Sequence, residues 1–263
     1  MIKISRKKAA LAALAATALA SPVLAVHSWN NYHWTKGSAE LSIPTGDNVD
    51  SRWDSYLDVA IVDWNKSTVI NSSEVPGSTN PKNCRAVAGT IQVCNSSYGF
   101  NGWLGLASIS ISGGHITQGT TKVNDSYYNT ATYNTPAWRA AVMCQEIGHD
   151  YGLGHQDEDS STDNTTSCMD YTNRPEGNEH PDSHDYAQLV SIYNHAESAS
   201  MTLGGRGNSA AADVGDTPAE WGRAIHFMKD GRPDLFERID GPGAKTITHV
   251  YWAVGEGPRN FRH

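Results

Sequence analysis

Cysteine, charge and long apolar runs are all scarce in this sequence, and each scarcity excludes something. Only four cysteines stand among 263 residues, and no two form a C-x-x-C pair. That argues against a thiolate zinc module. Charged residues make up 18% and hydrophobic residues 38%. Ser, Thr, Asn and Gly fill the difference, as in many exported, loop-rich chains. Beyond the first 25 residues no stretch approaches the ~20 apolar residues of a spanning helix, so no membrane span is expected. Positive charge is scarce too: the net charge is −8, which argues against nucleic acid or an anionic membrane surface as partner. No internal repeat is found. Disorder throughout is excluded by eight Trp and eleven Tyr, which need a core to sit in.

The first 25 residues carry Lys3, Arg6, Lys7 and Lys8 and no acid, then an Ala/Leu run from Ala9 to Ala20. A small-residue end at Val23-Leu24-Ala25 completes the pattern of a secretory signal peptide cut near Ala25. The expected location is therefore secreted or periplasmic. Removal would take the net charge from −8 to −12. An even cysteine count behind such a segment predicts two disulfides. Of the three pairings, Cys84–Cys94 around a short hairpin-like segment and Cys144–Cys168 are favoured.

Tyr32, Trp34 and the alternation Ala39–Ile43 predict a first strand, closed by Pro44-Thr45-Gly46-Asp47. Trp53, Tyr56, Leu57, Ala60, Ile61 and Trp64 recur at spacings of three and four, predicting a helix within 50–68. Residues 70–84 read as a loop. Strands are expected at 87–93, 105–111 and 115–123, with Gly113-Gly114 breaking the second. Thr135-Pro136 is a helix start, with Thr as N-cap and Pro in the first turn. Residues 156–167 read as an acidic surface loop, and a helix is expected at 184–197. Residues 204–216 read as a linker, and 217–263 as a small extension with a helix near 219–228 and a strand near 246–253. The catalytic portion would span 26–203.

The stretch from Cys144 to His155 carries the chemistry. On a helix Gln145 and His149 point the same way, one turn apart, with Glu146 beside them. Gly152 can take the left-handed conformation that ends the helix and brings His155 back toward His149. Three ligands with one position open is the layout of a catalytic zinc site.

At these residues the chain resembles the metzincin clan of zinc metalloproteases, whose pattern is H-E-x-x-H-x-x-G-x-x-H followed by a Met-turn. Glu146, His149, Gly152 and His155 match in order and spacing. Ser167-Cys168-Met169-Asp170-Tyr171, with Met169 fourteen residues after His155, resembles the Met-turn. The chain departs from the pattern at Gln145, which stands where the first ligand His belongs; a Gln at that place is known in some gametolysin-type members. The resemblance covers roughly residues 28–200 and not the tail.

It implies an α+β fold, a twisted mixed sheet packed on long helices, with the active-site helix followed by the Met-turn and a C-terminal helix. It implies Zn2+ held by His149, His155 and Gln145, with copper or another divalent metal as the alternative. Glu146 would be the general base, Tyr171 would donate to the developing oxyanion, and Met169 would floor the site. The implied activity is endopeptidase cleavage of a peptide or protein bound beside an edge strand. A catalytically weak or silent binding protein is the alternative. A disulfide between Cys144 and Cys168 would tie the ligand helix to the Met-turn.

Overall fold

In the computed structural model, residues 27–37, 39–159, 166–195 and 214–258 are described. The expected signal segment and most of the expected linker lie outside them. The elements are β1 (His33–Trp34), β2 (Leu41–Asn48), α1 (Asp54–Trp64), β3 (Ile70–Pro76), β4 (Ile91–Ser96), β5 (Trp103–Ser112), β6 (His115–Asn124), α2 (Asp125–Tyr128), α3 (Pro136–Asp150), α4 (Ser183–Tyr193), α5 (Pro218–Trp221), β7 (Arg223–Phe227), β8 (Pro233–Gly241) and β9 (Ala244–Trp252). The architecture is a mixed α/β fold with one large sheet and few helices.

The nine strands of the described residues join one sheet in the order β3-β2-β4-β6-β5-β9-β8-β7, with β1 paired to the start of β6. The β3, β2, β4 and β6 neighbours run parallel. From β6 onward through β5, β9, β8 and β7 every pairing is antiparallel. Helix α3 packs against β5 and β6, and α1 packs against α3. The core between them is rich in aromatics: Trp53, Trp64 and Trp103 are all fully buried.

Three stretches differ from the sequence expectation. Pro44-Thr45-Gly46-Asp47 continues β2 instead of closing it. Pairing of β2 with β4 begins only at Thr45, so Pro44 sits where just one side of the strand has a ladder, and its missing N–H is tolerated. Residues 70–76, expected as loop, form β3, whose polar residues suit a strand at the end of the sheet. The helix expected near 219–228 stops at Trp221, because Gly222 takes φ +95° and turns the chain into β7.

Residues from Pro218 onward supply α5 and three strands of the same sheet. Within β9, Ile247, Val250, Tyr251 and Trp252 are all buried, and each such side chain contributes about 1.5–3 kcal/mol relative to exposure. The tail is thus part of the core. Its central consequence is that β5 is not an edge: β9 lies along it from Trp103 to Ser112.

Candidate metal centre

Helix α3 begins as its sequence dictates. The Thr135 hydroxyl accepts from the Trp138 N–H at 3.3 Å, and Pro136 occupies the first turn. It ends at Gly152, whose φ is +93°. A side chain there would also collide with the Tyr32 carbonyl, 2.2 Å from the position of a Cβ. The carbonyl of Gly152 in turn accepts from Trp29 N at 3.1 Å. The N-terminal segment is thereby laid over the helix end, and the Trp29 ring stacks on His149 at 4.6 Å and 12°.

The reversal brings His155 beside His149, as the spacing implied, with ring centroids 4.9 Å apart. A third imidazole joins them from β9. His249 lies 4.0 Å from His149 and 4.7 Å from His155 by ring centroids. One ring nitrogen from each of the three lies within 4.8 Å of the others.

Two of the rings are hydrogen-bonded through Nδ1, and the third faces a carboxylate. His149 Nδ1 is 2.8 Å from the Leu153 carbonyl, which can only accept, so this nitrogen carries the proton. His249 Nδ1 is 3.0 Å from Glu146 Oε2, and His155 Nδ1 is 3.7 Å from Asp234 Oδ2. In all three rings Nε2 is buried and has no partner. Leaving a buried polar atom unpaired costs about 1–3 kcal/mol, and here three stand in one place. Burial is the main cause that pushes each imidazole well below its usual pKa. The rings are therefore neutral, the form that binds a metal. Ligating imidazoles commonly give their second nitrogen to a carboxylate or a carbonyl; His149 and His249 do so, and His155 faces the Asp234 carboxylate at 3.7 Å. The donor set fits a borderline dication such as zinc.

Gln145 Oε1, the atom its expected ligand role would use, is buried and has no partner. The residue is fully buried on α3, and its amide nitrogen donates to the carbonyls of Cys168 at 2.7 Å and Asp170 at 3.0 Å. Those groups flank Met169, so the amide straps the helix to the turn. The third ring beside His149 and His155 is His249. Met169 lies directly under the helix: its Sδ is 2.5 Å from where a Cβ on Gly148 would stand. The disulfides pair Cys84 with Cys94 and Cys144 with Cys168, the second bridging α3 and the same turn.

Glu146 is fully buried, and burial raises its carboxyl well above the usual range. Oε2 holds His249, while Oε1 has no partner. A Cβ at position 105 of β5 would fall 2.6 Å from Oε1, so Gly105 makes room for the carboxylate. Tyr171 has its ring 5.5 Å from that of His155. Its hydroxyl is tied to Trp252 on β9, accepting from the backbone N–H at 2.8 Å and donating to the carbonyl at 3.4 Å. The expected oxyanion donor is thus engaged by the tail.

A pocket of about 310 Å³ reaches this centre. His155 and His249 line it, with His27 to Asn30 on one wall and His226 and Asp234 on another. Asp234 also accepts from His226 Nδ1 at 2.6 Å, and Glu158 lies 3.2 Å from His226 Nε2.

Sequence reasoning placed His149, His155, Glu146 and Gly152 but missed His249. The only trace was a histidine inside the apolar strand pattern of the tail.

No family model matches the sequence, and no curated protein matches it. Among solved structures the chain is similar to high choriolytic enzyme 1, a hatching enzyme zinc-protease from the medaka fish Oryzias latipes. The identity is 15% and the TM-score 0.35, over 64% of this chain and 96% of that one. A likeness of that extent bears on neither the fold nor the function of this chain.

Proposed function

We propose that the chain is an exported metal-dependent hydrolase, a peptidase of metzincin type, whose metal is held by His149, His155 and His249. One observation carries this reading: three buried imidazoles brought together, two of them hydrogen-bonded through Nδ1 and the third facing Asp234, each with a partnerless Nε2. Zinc bound by three imidazoles supplies a Lewis acid that activates water near neutral pH and polarises a carbonyl.

The chain's own residues have definite tasks in this scheme. Glu146 Oε2 fixes the tautomer and angle of His249, which leaves Oε1 as the atom to accept and return a proton. Trp29 covers one face of His149 and shields it from water. The pocket between the N-terminal segment and the β7–β8 hairpin admits substrate. The disulfides suit the oxidising compartment that a signal peptide implies. No helix among the described residues is long and apolar enough to cross a membrane.

A catalytically silent metal-binding protein is the second reading. It is favoured by the pairing of β9 along β5 and by the engagement of the Tyr171 hydroxyl with Trp252. Both use features that a metzincin-type peptidase would offer to a peptide. Incubating the purified, zinc-loaded chain with a mixed peptide library decides between them. Chelator-sensitive cleavage that is lost in Glu146→Ala supports the peptidase; zinc binding with no cleavage of any peptide supports the silent protein.

A further inference from the structure

Asp234 reaches the metal centre through an irregularity of the sheet. On β8, Leu235 stands opposite His249 of β9 on one side and His226 of β7 on the other. Side chains alternate along a strand, so the residue before Leu235 would ordinarily face away from His249. The β7–β8 ladder slips at this place: Phe227 pairs with Pro233 directly after His226 pairs with Leu235, and Asp234 is skipped. A bulge of that kind re-aims a side chain. Asp234 is 2% exposed, and its Oδ2 faces His155 Nδ1 at 3.7 Å. That is longer than a hydrogen bond, so the carboxylate acts on the ring by attraction. A negative group there favours the tautomer with the proton on Nδ1 and the lone pair on Nε2.

A buried carboxylate is costly unless donors compensate it. His226 supplies the compensation. Its Nδ1 donates to Asp234 Oδ1 at 2.6 Å, and its Nε2 lies 3.2 Å from Glu158 Oε2. An imidazole that donates to two carboxylates has a proton on each nitrogen and carries a positive charge. The two hydrogen bonds push its pKa up to about 10. The bond at Oδ1 leaves Oδ2 to face His155. Glu158 belongs to the loop that leaves His155, and that loop is held on both sides. Gln156 N donates to the Met169 carbonyl at 2.8 Å, while Lys229 Nζ lies 3.1 Å from Asp159 Oδ2. The ligand loop is thus fastened to the turn around Met169 and to the β7–β8 hairpin.

We infer that Asp234 and His226 are positioning residues of the metal centre: Asp234 keeps the Nε2 lone pair of His155 available to the metal, and His226, clamped by Glu158, keeps Asp234 in place. His149 and His249 take the same help from the Leu153 carbonyl and from Glu146, so each of the three rings has its own outer partner. The assignment rests on reading His149, His155 and His249 as a metal site, and on nothing about the reaction performed there.

Competitive chelator titration of the full-length chain with Zn2+ tests it, comparing the parent with Asp234→Ala, Asp234→Asn and His226→Gln. Near-ultraviolet circular dichroism checks that each variant is folded. Asp234→Ala is expected to bind zinc about 10–100-fold more weakly, the usual effect of losing an outer-shell partner. Asp234→Asn keeps an oxygen for His226 but drops the charge, and His226→Gln keeps a donor but drops the second bond. Both should fall between Asp234→Ala and the parent. The visible absorption of the Co2+ complex reads the ligand geometry itself and should shift in Asp234→Ala. A purely structural role would lower the urea midpoint yet leave zinc affinity and the cobalt spectrum of the folded variants at parent values, and that result overturns the assignment. If Asp234→Ala does not fold, parent-like affinity in both Asp234→Asn and His226→Gln overturns it. A parent that binds no zinc overturns the metal reading and this assignment with it. A parent that binds zinc and cleaves no peptide overturns the peptidase reading alone.

Discussion

His249 Nδ1 on β9 lies 3.0 Å from Glu146 Oε2 on α3. That contact joins the motif helix to a strand about a hundred residues later. It also gives the carboxylate two tasks, holding a ring with one oxygen and keeping the other for a proton. The two tasks separate by mutation. Glu146→Ala should weaken zinc binding about 10–100-fold, the usual effect of losing an outer-shell partner, and abolish cleavage. Glu146→Gln, whose amide oxygen still accepts from Nδ1, should recover much of the affinity and none of the cleavage. Competitive chelator titration alongside a peptide assay reads both.

Gln145 is expected to act through stability. Gln145→Ala leaves the Cys168 and Asp170 carbonyls without their buried donor, a loss of about 1–3 kcal/mol. Urea unfolding should show it as a lower midpoint, with zinc affinity changed far less than by loss of His249. A Gln145→Ala chain of full stability that no longer binds zinc would return this amide to the ligand set.

The pocket wall predicts a pH effect on folding. His226 is pushed up to about 10, first by its hydrogen bond to Asp234 and then by that to Glu158. Its folded pKa exceeds the unfolded value of 6.5, so the stabilisation is complete below 6.5. It is lost as pH rises from there through about 10. The side chain is 38% exposed, so solvent screening keeps the effect below about 1 kcal/mol. Thermal melts of the parent should fall across that window more steeply than those of His226→Gln. Parallel curves would show that the ion pairs contribute nothing.

What was legible in the sequence was local. Thr135-Pro136, the spacing from Glu146 to His155, and the turn at Gly152 are set by neighbours within a few turns of chain, and the structure places them accordingly. The disulfide partners Cys144 and Cys168 were legible because they flank that same stretch. His249 was not, because it reaches His149 only through the β9–β5 ladder, in which it stands opposite Ala107. Nothing near residue 249 announces that pairing. The strand β3 was hidden for a related reason: Asn71, Ser72 and Ser73 are loop-like alone and become a strand only beside β2. Gln145 was read from its motif position, whereas its amide nitrogen goes to carbonyls of Cys168 and Asp170, in the turn around Met169.

Zinc affinity measured by equilibrium dialysis on the parent and on His249→Gln, which keeps a polar side chain at the position, tests the central claim most directly. The parent should bind zinc tightly with His149, His155 and His249 as ligands, and X-ray absorption should report three imidazoles. His249→Gln, folded by circular dichroism, should lose that tight binding. Parent-like affinity in His249→Gln would contradict the account and leave the tail with no part in the metal centre.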